Sequence, residues 1–290
     1  MKIIVLGISG MLGHRAFRRL SERSDLEVYG TLRSGDARRF FATMPADRII
    51  DGVDVENQDS LVAVLNRVRP DAAINCIGIV NQRSAAMNPL STIPINALLP
   101  HRIAQLCHLR GARLIHISTD CVFSGRAGNY RESDPTDADD LYGRSKLLGE
   151  VDYGNAITLR TSIIGRELSG RYGLLEWFLG ERSKVRGYTN AIFSGLTTEE
   201  LTSVIADYVL PHRELRGVYH VGAEPIAKYD LLNLVKGVYE LPIEIEPDAS
   251  LRINRSLDST RFQRATGYVC PAWPQMIRQM RALEIPNDDR

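Results

Sequence analysis

The chain has 290 residues, 44% of them hydrophobic and 24% charged, with a formal net charge of +1. That length suits one large domain with a smaller lobe, or two domains. The near-neutral balance argues against a nucleic-acid or acidic-membrane partner, and no stretch approaches the ~20 apolar residues of a membrane span. The four cysteines, Cys76, Cys107, Cys121 and Cys270, lack a Cys-x-x-Cys pairing, and the six histidines form no ligand pattern with them. Neither a disulfide framework nor a metal site is expected, and a reducing cytoplasm fits. The apolar start, residues 3–7, is too short for a signal peptide.

Residues 2–6, Lys-Ile-Ile-Val-Leu, form a short β-branched run that reads as a buried parallel strand. The run passes into Gly7-Ile8-Ser9-Gly10-Met11-Leu12-Gly13 and then a helical pattern over 16–20. Strand, glycine turn and helix in that order predict a dinucleotide site, with the pyrophosphate at the helix N-terminus. Gly7, Ser9, Gly10, Met11, Leu12 and Gly13 are the expected contacts. The second strand, 26–32, ends in Thr31-Leu32-Arg33-Ser34 rather than in the acidic residue that holds a free ribose 2′-hydroxyl. Arg33 would pair with a 2′-phosphate and Ser34 would hydrogen-bond it, so NADP(H) is preferred and NAD(H) is the alternative. The bland alternative is that Arg33 is an ordinary loop arginine.

A third strand is expected within 48–55, and a helix over 61–68 that stops at Arg69-Pro70. A fourth strand covers 72–78, where Cys76 and Ile77 border the cofactor and Gly78 lets its ribose approach. Asn96 stands where a helix opens and reads as its cap. The fifth strand, 113–120, ends in Ser118-Thr119-Asp120, at the sheet edge where doubly wound folds bind ligands. A loop over 124–140 precedes Tyr142-Gly143-Arg144-Ser145-Lys146. Tyrosine and lysine at this spacing share one helix face, and the ammonium lowers the phenol pKa from its ordinary ~10 toward useful acid–base range. The alternative is an amphipathic helix with a packed tyrosine and a solvated lysine. A sixth strand, 156–161, leads to Ser162 and Ile163, expected beside the nicotinamide.

Five strand–helix units before residue 150 predict an α/β fold, a Rossmann-like doubly wound parallel sheet, with a smaller C-terminal α/β substrate-binding lobe. The expected division is 1–165 for the cofactor domain and 166–290 for the lobe, with part of 187–215 returning to the first domain. Within the second half an aromatic helix over 173–179, a capped helix over 198–209 and a short strand over 218–221 are expected.

Gly7/Gly10/Gly13, Ser118-Thr119-Asp120, Tyr142-x-x-x-Lys146 and Leu159-Arg160-Thr161-Ser162 together resemble the extended short-chain dehydrogenases/reductases. Within them, the run from Ser118 to Gly125, followed by Tyr-Gly-x-x-Lys, is similar to the dTDP-4-dehydrorhamnose reductase family. A late Arg-x-x-x-Ser-Leu-Asp at Arg252 to Asp258 matches loosely. The resemblance implies hydride transfer from NADPH to the C4 ketone of a nucleotide-linked 4-keto-6-deoxyhexose, for surface polysaccharide. It makes Tyr142 the proton donor, Lys146 the ribose ligand that lowers the Tyr142 pKa, and Thr119 a hydrogen-bond donor to the carbonyl. Asp54 and Val55 become adenine contacts, Asn96 an active-site support, and Cys121, Phe123, Asn190 and Arg255 substrate contacts. A nucleotide-sugar substrate and a homodimer are the implied partners.

Cys121 departs from the family, whose members commonly carry tyrosine there. It disfavours a 4,6-dehydratase, which needs a glutamate at that point. It leaves open an epimerase or epimerase–reductase that uses Cys121, although no histidine falls between Lys146 and His212. A non-catalytic NADP-binding subunit is the third reading, because the wider family includes a regulatory partner of methionine adenosyltransferase.

Overall fold

A computed structural model describes residues 1–80 and 87–284. The apolar strand β1 (Lys2–Leu6) is buried along almost its whole length and lies inside a seven-stranded sheet. Its neighbours are β2 (Glu27–Thr31) and β4 (Ala72–Asn75), both parallel to it. The sheet continues to β3 (Ile49–Ile50) beyond β2, and to β5 (Arg113–Ile117) and β6 (Ala156–Arg160) beyond β4. A last parallel strand, β11 (Gly217–His220), pairs with β6 and gives the order β11-β6-β5-β4-β1-β2-β3. This is the doubly wound, Rossmann-like arrangement. The order reverses between β1 and β4, which opens a crevice outside the carboxyl ends of those strands.

Helices α1 (Met11–Ser21), α2 (Gln58–Val68) and α4 (Leu99–Leu109) cover the sheet in the first half. Each buries one apolar face, such as Leu61, Val64, Leu65 and Val68 of α2. A short α3 (Pro89–Thr92) runs into a π-helical turn, Ile93–Leu98, before α4. Asn96 lies inside that turn and is buried, so it is not a helix cap. The helix α5 (Leu141–Leu148) carries the Tyr-x-x-x-Lys motif and is capped by the Asp140 carboxylate, which accepts from Gly143 N–H at 2.6 Å.

In the second half, β7 (Ile163–Ile164) pairs with β10 (Leu196–Thr197), and α6 (Leu174–Gly180) follows Gly173. The helix α7 (Thr198–Val204), capped by the Thr197 hydroxyl, packs against α1 on the first-half sheet. Two small sheets make up the lobe. One joins β8 (Val185–Tyr188) to β13 (Ile245–Asp248), and the other joins β12 (Ile226–Ala227), β9 (Ala191–Phe193) and β14 (Ile253–Asn254). Helices α8 (Lys228–Tyr239), α9 (Thr260–Thr266) and α10 (Trp273–Ala282) complete it. One continuous apolar cluster runs from Ile3 and Phe17 through Leu201 to Phe262 and Met276, so the halves share a core. Among the described residues no helix is long and apolar enough to cross a membrane.

Candidate active site

The glycine turn is shaped by contacts that only hydrogen atoms tolerate. Gly7 has φ of +83°, and a Cβ on Gly13 would stand 2.1 Å from the Gly7 carbonyl oxygen. A side chain at Gly13 would separate α1 from the end of β1, and one at Gly7 would run into Ile77. A Cβ on Gly10, by contrast, meets nothing closer than 3.5 Å, so the protein's own packing does not require glycine there. Gly10 is half-buried at a helix start with no side-chain cap and no acidic residue in its first turn. The free amides of that start suit a pyrophosphate, and Ser9 is exposed beside them. Thr31 Oγ1 accepts from Gly7 N–H at 3.1 Å and ties the turn to the end of β2.

Met11 and Leu12 part company within that first turn. Leu12 is buried in the core, so only its backbone faces the crevice, while Met11 packs over Gly173, where a Cβ would lie 2.6 Å from its Cε. Arg33 is exposed just past β2, and Ser34 Oγ donates to Asp36 at 3.1 Å. Asp54 is exposed and Val55 half-buried at the far end of the sheet, beyond β3. Cys76 and Ile77 continue β4 into the crevice, with Gly78 exposed beyond them. Burial pushes the Cys76 thiol up to about 12, so it is a neutral wall of the crevice. Ser162 and Ile163 are half-buried after β6, on the same side of the sheet.

Two more close approaches set Tyr142 and Lys146. A Cβ on Gly143 would stand 2.2 Å from the Cys121 carbonyl oxygen, and one on Gly149 only 1.9 Å from that of Asn96. Glycine at both points lets α5 lie directly against the strand-end loop and the π-turn. Asn96 strengthens the seat. Its amide accepts from Ile79 N–H at 2.8 Å, donates to Ile79 O at 2.9 Å, and donates to Ser145 Oγ at 3.2 Å. Ser145 Oγ in turn donates to the Tyr142 carbonyl at 2.8 Å.

Lys146 is buried, and its ammonium donates to the Ile117 carbonyl at 2.7 Å. Burial draws its pKa down to about 8, while the Glu150 carboxylate is the largest influence opposing the fall. The expected lowering of the Tyr142 phenol by Lys146 is corrected: Tyr142 is half-buried, burial pushes its phenol above the ordinary range, and the opposing influence is a hydrogen bond with Thr119. Thr119 Oγ1 accepts from Cys121 N–H at 3.1 Å and donates to Asp120 at 3.2 Å. Thr119, Tyr142 and Lys146 therefore converge at the carboxyl end of β5.

The proposed substrate contacts divide. Arg255 reaches in from the lobe, donating to the Phe123 carbonyl at 2.8 Å and to Cys121 Sγ at 3.5 Å. Asn190 is exposed after β8 and donates to the Ala249 carbonyl at 3.4 Å. Phe123 is corrected: its ring is 0% exposed and stacks on Tyr130 at 4.2 Å, so it packs beneath the site and offers a substrate no surface. Burial pushes the Cys121 thiol up to about 12, with the Asp120 charge adding to the rise and Arg255 opposing it.

The RmlD substrate binding domain family matches residues 1–282. The chain belongs to this family. It is 28% identical over 215 residues to the probable low-salt glycan biosynthesis reductase of Haloferax volcanii, covering 72% of this chain and 65% of that one. The methionine adenosyltransferase 2 subunit beta of Danio rerio is 26% identical over 261 residues, 83% of this chain and 75% of that protein. Among solved structures, the dTDP-4-dehydrorhamnose reductase of Bacillus anthracis, crystallised with NADP, superposes with a TM-score of 0.80 at 21% identity, over 97% of this chain and 98% of that one.

Within this RmlD-family chain, sequence reasoning missed Glu150 and Arg160. Their side chains are 6% and 7% exposed and form an ion pair at 2.7 Å directly behind Lys146. The signal was present, since Glu150 follows Lys146 at the same spacing by which Lys146 follows Tyr142.

Proposed function

We propose that this chain reduces the C4 ketone of a nucleotide-linked 4-keto-6-deoxyhexose with NADPH. The observation that carries the reading is the convergence of Thr119, Tyr142 and Lys146 beside a crevice whose floor is an uncapped helix start. The Gly10 backbone and the exposed Arg33 fit the pyrophosphate and 2′-phosphate of that cofactor. When bound, the nicotinamide supplies the hydride. Thr119 and Tyr142 hydrogen-bond the ketone oxygen and stabilise negative charge as it develops there. Tyr142 then donates its phenolic proton to that oxygen, and the Lys146 ammonium stabilises the phenolate left behind. A nucleotide sugar would lie where Arg255 of the lobe meets Cys121.

The test is NADPH consumption against dTDP-, UDP- and GDP-4-keto-6-deoxysugars, with the product identified by NMR. Reduction of at least one, giving a 4-hydroxy sugar, is expected; no turnover with any of them would sink the reading and favour a non-catalytic NADP-binding subunit. The epimerase–reductase alternative asks Cys121 for proton chemistry. A thiol held near 12 is almost wholly protonated at neutral pH and leaves little thiolate to act as a base, and both ring nitrogens of His220 are engaged, by Tyr130 O and Arg160. A homodimer is the assembly we infer, supported by Leu148 and Tyr153, 65% and 47% exposed around His101 of α4. Sedimentation at micromolar concentration tests it, and a monomer would refute it.

A further inference from the structure

Behind the Tyr142–Lys146 face lies a buried ionic group that the reaction as described leaves without a task. Glu150 sits just beyond the end of α5, and Arg160 ends β6. Arg160 Nε donates to Glu150 Oε1 at 2.8 Å and Nη2 donates to Oε2 at 2.7 Å. Ser118 Oγ, one residue before Thr119, donates to Oε1 at 2.7 Å. The third arm of Arg160 meets His220 Nε2 at 3.2 Å, and His220 Nδ1 lies 2.9 Å from the Tyr130 carbonyl. Nδ1 therefore carries the proton and Nε2 accepts from Arg160. The guanidinium also covers the Phe123 ring, 5.3 Å from its centroid. A single carboxylate thus joins α5, the end of β5, β6 and, through Arg160, the loop that carries Cys121. Packing alone would be served as well by an apolar pair of similar volume.

We propose that Glu150, clamped by Arg160, is a positioning residue: its carboxylate keeps the Lys146 ammonium charged beside Tyr142 and, through Ser118, holds the strand end that aims Thr119. This rests on the reductase reading of the same site.

The groups facing Lys146 make the balance explicit. Cys76 approaches from the end of β4, His116 from β5, Tyr142 from its own helix, and the Glu150–Arg160 pair from behind. His116 is fully buried and kept neutral by that burial. Burial is the largest influence on Lys146 and lowers its pKa to about 8; Glu150 is the largest opposing one. Without that carboxylate the ammonium would lose its proton near neutrality, and the phenolate its partner.

The chain has five lysines, so ¹³C-lysine NMR resolves Lys146, assigned by its loss in Lys146→Arg. In Glu150→Gln, which keeps the shape, the Lys146 titration is expected to move down by roughly one pH unit. In Arg160→Gln, where Glu150 is no longer neutralised, it is expected to move up. Opposite shifts are not what general damage to packing would produce. Unmoved titrations in both folded variants, with only a lower Tm, would overturn the proposal. If Glu150→Gln does not fold, Arg160→Gln decides alone, and a downward move or none refutes it. The alkaline limb of kcat/KM should follow the NMR value. Should the wild type reduce no 4-keto sugar, the reductase reading fails while the NMR titration still decides the role of Glu150.

Discussion

At the scale of single residues, the site works by contrast between neighbours. Tyr142 sits in surroundings that favour its protonated form, whereas burial makes the Lys146 ammonium easier to lose than in water. That pairing suits a proton donor whose conjugate base must be stabilised only after transfer. In the proposed reaction Arg33 selects the cofactor. It is exposed just past β2, where we propose that it pairs with the 2′-phosphate. Arg33→Ala should raise the KM for NADPH by roughly 10- to 100-fold, the loss of one charge-assisted contact, with little change for NADH. Equal effects on both cofactors in steady-state assays would remove Arg33 from the 2′-phosphate site. Cys121 is held by Arg255 from the lobe, so it reports on how the halves meet more than on proton transfer.

At the scale of elements, the glycines decide where helices can lie. Gly13→Ala should lower Tm and abolish NADPH binding, because the clashing atom is a backbone carbonyl that cannot rotate away. Gly237, on an exposed turn of α8 with nothing within 4 Å of an added Cβ, is the matched control. Gly237→Ala should stabilise by about 1 kcal/mol in denaturant unfolding, from helix propensity alone. A stable Gly13→Ala with normal cofactor affinity would contradict the close-packing account. The alternating strands and helices of the first half were legible in sequence because each strand is a short apolar run and Gly or Pro marks several of the turns. Other features were not. Nothing local distinguishes a π-turn from an α-helix, so Asn96 read as a cap although it is the buried bracket between Ile79 and Ser145. The strand β11 carries no mark of its partner, and only the folded chain shows it beside β6. Phe123 looked like a pocket aromatic because the motif places it near Thr119; its side chain turns inward onto Tyr130.

At the scale of the whole molecule, buried charges stitch the second half to the first. Arg15 of α1 pairs with Glu199 of α7 at 3.2 Å and donates to the Leu283 carbonyl at 3.0 Å. Within the second half, Arg166 bridges Glu176 of α6 at 2.5 Å and Glu284 at 2.9 Å. Three buried histidines, His14, His116 and His220, add a pH dependence, since burial lowers the pKa of each. Burial lowers His14 and His220 to about 4, so between 6.5 and 4 the unfolded chain binds more protons than the folded one. Stability is therefore lost as pH falls through that window, by on the order of 3 kcal/mol for each of these two. Glu199 and Glu200, raised by burial, act in the opposite sense, so the comparison with a variant isolates the effect. His220→Gln should lose less stability between pH 6.5 and 4 than the wild type in urea unfolding; equal losses would show that His220 is already protonated in the fold. In the proposed reaction Tyr142, Lys146 and Thr119 reduce a ketone beside a nicotinamide. Its most direct test supplies [4-²H]NADPH with a nucleotide-linked 4-keto-6-deoxyhexose and locates the deuterium in the product by NMR. One deuterium at C4, formed roughly 10²- to 10⁴-fold more slowly by Tyr142→Phe, is the predicted result. No deuterium at C4, or an unchanged rate in Tyr142→Phe, would contradict it.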